Sequence, residues 1–132
     1  MRSRSGAGSA ARYYRAETVT DLNNDKQGGV PALFKVFANQ AGLDYTVSLE
    51  TVGGAGFELH LEKKAEVIGR AWDHVILQAQ SMLDNKKPGD PAKLVTTTKQ
   101  IAELFLAKNP GADLRLVATW SRADQTYPEK GT

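Results

Sequence analysis

The chain has 132 residues, 41% of them hydrophobic and 24% charged, which is the balance of an ordinary folded domain with one core. A formal net charge of +2, with Lys and Arg spread along the chain, argues against nucleic acid as a partner. The absence of cysteine excludes disulfides, thiolate catalysis and Cys-based zinc sites, and no apolar run is long enough for a membrane span.

Residues 1–28 are polar and Gly-rich without periodicity, and read as a loop-rich or poorly ordered N-terminal segment. Met1 to Gly6 has no apolar stretch of the signal-peptide kind. Residues 29–120 carry the periodic elements, and 121–132 form a polar C-terminal tail.

Pro31 suits the first turn of a helix. Leu33, Phe34, Phe37, Ala38 and Ala41 then recur at helical spacing, and Gly42 supplies a stop. From Tyr45 to Thr51 apolar and polar residues alternate, which predicts a strand ending at Val52-Gly53-Gly54-Ala55-Gly56. A second helix is expected over about 57–68. A strand follows at 74–78, whose continuous run Val75-Ile76-Leu77 suits a position covered on both faces. Residues 81–89 read as a loop. Asp90 caps a third helix with Pro91 at its first position, and Leu94, Ile101, Leu104 and Phe105 form its stripe. Asn109-Pro110-Gly111 stops it before a strand over 114–119.

The order α-β-α-β-α-β predicts an α/β fold with a three-stranded parallel sheet and helices on its faces. The first helix has no strand before it and the last strand no helix after it, so the expectation is an incomplete domain.

Ligands of open parallel sheets bind beyond the carboxyl ends of the strands. Three loops belong there: the glycine loop 52–56, Gln78-Ala79-Gln80-Ser81, and Trp120-Ser121-Arg122-Ala123-Asp124. Glycine N–H groups, carboxamides and a guanidinium can all hold an oxyanion. Trp120 and Arg122 are candidates for a sugar face and an anionic group.

Other constellations fail on spacing. Asp21, Asn23 and Asp25 match the start of a calcium loop, but Lys26 and Ala32 stand where it needs Gly and Glu. The only histidines, His60 and His74, fall on a helix and at a strand start, and two are thin for a metal site. A triad of Ser81, His60 and Asp124 lacks a nucleophile elbow. No Lys-Ser/Thr follows the glycines, so there is no phosphate-binding loop. No metal or other cofactor is expected.

The runs Val52-Gly53-Gly54-Ala55-Gly56-Phe57-Glu58-Leu59-His60-Leu61, Trp72-Asp73-His74-Val75-Ile76-Leu77-Gln78-Ala79-Gln80-Ser81 and Leu116-Val117-Ala118-Thr119-Trp120-Ser121 resemble a divergent bacterial branch of the SGNH/GDSL hydrolases, from about Gly8 to the C-terminus. The resemblance implies a three-layer, flavodoxin-like α/β/α fold and hydrolysis of small-molecule or carbohydrate esters. It assigns oxyanion-hole donors to Gly53 or Gly54 and to Gln80, with Gln78 as the runner-up. Gln replaces the usual Asn. The family's Gly-Asp-Ser block and its Asp-x-x-His block do not occur in the 132 residues. The expectation is therefore a partial esterase domain, with no catalytic residue to assign and no turnover. The alternatives are a non-catalytic α/β module binding a carbohydrate or acyl ligand at the same edge, and a bare fragment without function. Substrate, compartment and oligomeric state are open at this level, and longer relatives of such a family can be exported.

Overall fold

A computed structural model of the chain describes residues 10–120, which fall into two compact units that meet in sequence between Thr51 and Val52.

The first unit contains a 3-10 turn at Ala16–Thr18, strand β1 (Thr20–Asp21), helix α1 (Gly29–Gln40) and strand β2 (Ser48–Leu49). β1 and β2 pair in parallel, Thr20 with Ser48 and Asp21 with Leu49. The Asp21 carboxylate accepts the N–H groups of Asn23 at 2.9 Å, Asp25 at 3.1 Å and Gln27 at 3.0 Å. The calcium-like spacing therefore serves a backbone turn, and Asp21 has its oxygens committed to amides. Gly28 is required by a close approach: a Cβ there would lie 2.0 Å from the Tyr14 carbonyl oxygen.

Helix α1 forms where the spacing predicts it, and Gly42 at φ 74° ends it while Leu43 N–H closes on the Ala38 carbonyl at 2.9 Å. Its buried residues differ from the expected stripe. Ala32 and Ala38 are buried, whereas Leu33, Phe34 and Phe37 are exposed. Within the unit, Phe34 meets the Tyr45 ring edge-on at 5.3 Å.

The second unit contains α2 (Phe57–Lys63), α3 (Ala65–Ile68), β3 (His74–Leu77), α4 (Ala92–Lys108) and β4 (Asp113–Leu116). The single helix expected over 57–68 breaks at Lys64, whose φ of −121° and ψ of 1° depart from helical values. Helix α4 starts one residue later than expected, with Pro91 at its N-cap position, and Asp90 just before it accepts the Ala92 N–H at 2.9 Å. At the far end, Asn109 donates its side-chain amide to the Trp72 carbonyl at 2.8 Å and accepts the Gly111 N–H at 3.1 Å. That residue both ends α4 and ties it to the segment entering β3.

β3 and β4 pair in parallel in the register His74–Asp113, Val75–Leu114, Ile76–Arg115 and Leu77–Leu116. Leu77 joins Phe57, Ile68, Ile101 and Phe105 in the core, with Val75, Ala79, Leu114 and Trp72 packed against it. Burial of side chains of this size stabilises the unit by about 1.5–3 kcal/mol each.

The fold is thus α/β with parallel pairing, and where the sequence reading expects a three-stranded sheet the described residues form one two-stranded parallel sheet in each unit. β2 pairs with β1, a two-residue strand inside the segment read as loop. Two residues are too short to leave a period in the sequence. The run Val75-Ile76-Leu77 is covered on one face: Leu77 is buried and Ile76 is 62% exposed.

Candidate functional site

The site lies in the second unit, beyond the carboxyl end of β3. Alternation continues past the strand, so Leu77 and Ala79 pack on the core while Gln78 and Gln80 project away from it. Gln78 is exposed and Gln80 half-buried. Gln80, Ser81, Met82 and Asn85 line a cleft of about 400 Å³ whose remaining wall is Gly54.

Gly54 arrives there through a tight turn. Ala55 N–H donates to the Val52 carbonyl at 3.2 Å, and Gly54 has φ 73°. Positive φ at the third position is the mark of a type II turn, where a side chain is strained. A Cβ on Gly54 would meet nothing within 4 Å, so glycine is needed for backbone conformation and not for space. Phe57, 3% exposed, anchors the chain immediately after the turn. Among the described residues no acceptor takes the N–H of Gly53 or Gly54.

The second wall is a folded loop. Leu83 N–H donates to Gln80 at 3.2 Å, Asp84 N–H to Met82 at 2.8 Å, and Gly89 N–H to Met82 at 2.8 Å. The Met82–Asp84 bond closes a γ-turn around Leu83, whose φ of 67° is costly for a branched residue by about 1–3 kcal/mol. Asp84 accepts the N–H groups of Lys86 at 2.8 Å and Lys87 at 3.3 Å. The Lys86 hydrogen bond is the main cause that holds its carboxyl below the usual value, with Lys87 and the nearby Lys93 adding to it.

Lys93, in the first turns of α4, makes an ion pair with Glu58 of α2 at 3.1 Å, and Asp84 adds to the same positive site. The hydrogen bond to Glu58 is the first cause raising the Lys93 pKa. Glu58 follows the glycine turn and Asp84 precedes Asn85, so the lysine braces the two stretches of chain that wall the cleft.

The candidates separate as follows. Gly54 and Gln80 share the cleft; Gly53 and Gln78 are exposed outside its lining. Trp120 is 85% exposed and does not line it, and Arg122 and Asp124 lie outside the described residues. Ser81 lines the cleft, and sequence reasoning had missed Met82 and Asn85. Their only signal was membership of a polar loop beside Gln80.

His74 pairs through Nδ1 with Asp113 Oδ2 at 3.2 Å, and Arg115 Nε reaches the same oxygen at 2.9 Å. This His–Asp pair sits at the amino ends of β3 and β4. The strand rise puts His74 about 10 Å from Leu77, before the chain even reaches Ser81. It is therefore at the wrong end of the sheet to serve Ser81 as a base, which needs hydrogen-bond reach. Among the described residues no three His, Cys, Asp or Glu side chains could hold a metal ion together, and no helix is long and apolar enough to cross a membrane.

What the cleft can do follows from its lining. Gly54 brings a backbone N–H, Gln80 and Asn85 bring carboxamides, Ser81 a hydroxyl and Met82 an apolar contact; among the described residues no charged side chain lines it. Such a set can donate hydrogen bonds to a carbonyl oxygen or to the oxyanion that develops from it. Compared with known proteins, the chain matches no family model, no curated protein and no solved structure.

Proposed function

We propose that this chain carries the oxyanion-binding side of an SGNH/GDSL-type serine ester hydrolase, belonging to a three-layer α/β/α fold, and that the polypeptide binds small neutral esters without hydrolysing them. The observation that carries this reading is the meeting of Gly54 and Gln80 in one cleft. A glycine after one strand and an amide after the next are the two donors that the resemblance assigns to a tetrahedral oxyanion. Their roles require proximity, and they have it. Gln80 accepts the Leu83 N–H on its backbone carbonyl, and among the described residues its side-chain amide makes no hydrogen bond, so that amide is available to a ligand.

Donors alone do not turn over an ester. Acyl transfer needs a nucleophile within hydrogen-bond reach of its base. Ser81 is the hydroxyl in the cleft, and the His74–Asp113 pair is engaged at the other end of the sheet.

The test is a pair of assays on the full chain. Acid release from triacetin in a pH-stat should stay at the protein-free rate, and a fluorophosphonate probe should label no serine. Stoichiometric labelling of one serine together with turnover would overturn the non-hydrolytic part of the proposal.

A further inference from the structure

We propose that Asn85 is a second ligand-binding carboxamide of this cleft and sets its selectivity for neutral carbonyl acceptors; the inference rests on the cleft reading above and extends it to a residue in the loop after β3.

Three observations carry it. First, Asn85 lines the same cleft as Gln80 and Gly54. Second, its side chain is not used by its own turn. An asparagine on a tight turn ordinarily hydrogen-bonds a backbone amide nearby. Here the preceding Asp84 does that work, accepting from Lys86 and Lys87, and the Asn85 carboxamide meets no partner among the described residues. Third, the loop that presents it is closed on itself. Gly89 N–H returns to the Met82 carbonyl at 2.8 Å, and Leu83 is held at φ 67°. Ordering an exposed loop this way, at a cost in backbone strain, fixes where Asn85 stands.

Ester oxygens accept hydrogen bonds and donate none. A cleft that offers the amide of Gln80, the amide of Asn85 and the N–H of Gly54 supplies donors without a formal counter-charge, so a neutral carbonyl compound enters it at a lower desolvation cost than a fully charged ligand does. Met82 is the large apolar side chain that lines the cleft among the described residues, available to an acyl group.

Triacetin is the probe, its affinity for the full chain measured by saturation-transfer difference NMR. Asn85→Ala should weaken it about three- to tenfold, the range expected for one lost hydrogen bond. Asn85→Asp keeps the shape but replaces donors with a carboxylate, so it should weaken binding at least as much while the amide spectrum stays dispersed as in the parent. If both variants bind as the parent does while Gln80→Ala weakens binding, Asn85 is a bystander and the cleft reading survives. If the parent itself shows no saturable binding, the cleft reading fails and takes this inference with it.

Discussion

Lys93 Nζ stands 3.1 Å from Glu58 Oε1, and that contact joins the helix entered from the glycine turn to the helix entered from the Asn85 loop. Both partners are partly exposed, at 40% and 34%, so the pair contributes more to the setting of the two walls than to overall stability. Its pH dependence has a definite sign. The Lys93 pKa is raised above 10.5 in the folded chain, chiefly by the Glu58 hydrogen bond. Its stabilisation is therefore fully present below 10.5 and is lost as pH rises through the folded value. Thermal melts across the alkaline range should show Tm falling in the parent, with a smaller fall in Lys93→Met.

The glycine turn gives a paired prediction. Gly54→Ala should destabilise the second unit by about 1–2 kcal/mol, because Ala is strained at φ 73°. Gly53→Ala should cost much less, since Gly53 is not held at positive φ and its added Cβ, like that of Gly54, meets no atom within 4 Å. Urea unfolding of the two variants checks the difference. Equal effects would mean that Gly54 is not held in the left-handed region.

These two glycines also show how far the residues could be read without coordinates. Val52-Gly53-Gly54-Ala55 announced a turn, but which glycine takes the positive φ depends on how Ala55 closes on Val52. The helices α1 and α4 were legible because each repeats its apolar spacing over several turns and carries a stop or cap. β1 was not, because Thr20–Asp21 sits in a polar segment and owes its existence to its partner Ser48–Leu49. The exposure of Leu33, Phe34 and Phe37 was illegible for a similar reason: periodicity marks a helix's apolar face, while tertiary partners decide whether it is buried. Within the site, the strand-end rule pointed to the loops 52–56 and 78–81 without choosing between Gly53 and Gly54 or between Gln78 and Gln80, whereas Asn85 depends on a loop that folds back through Leu83 and Gly89.

Phe57 is 3% exposed and packs with Ile68, Leu77, Ile101 and Phe105 directly behind the glycine turn. Phe57→Ala should cost about 3–5 kcal/mol, a large part of what a small unit has. The variant should unfold at a distinctly lower urea concentration, and the Gly54 amide resonance should lose its dispersion first.

The Asp113 carboxyl titrates below 3.8, with the His74 hydrogen bond as the leading cause and the Arg115 hydrogen bond next. A depressed carboxyl adds stability that is present above 3.8 and disappears as pH falls through the folded value. Carbon-13 titration of Asp113 should show the low midpoint, and Asp113→Asn should flatten the acid limb of the stability curve. Ligand binding in the cleft should be unchanged at neutral pH, since the pair lies at the opposite end of β3.

The central claim is that Gly54 and Gln80 act on one ligand. The most direct measurement is a triacetin titration of the nitrogen-15-labelled chain, following the Gly54 backbone amide and the Gln80 side-chain amide in the same spectra. Both signals should move saturably with a common midpoint, and both responses should weaken in Gln80→Ala where they can still be observed at Gly54. Movement of one without the other, or drift of both without saturation, would contradict a shared oxyanion-type site.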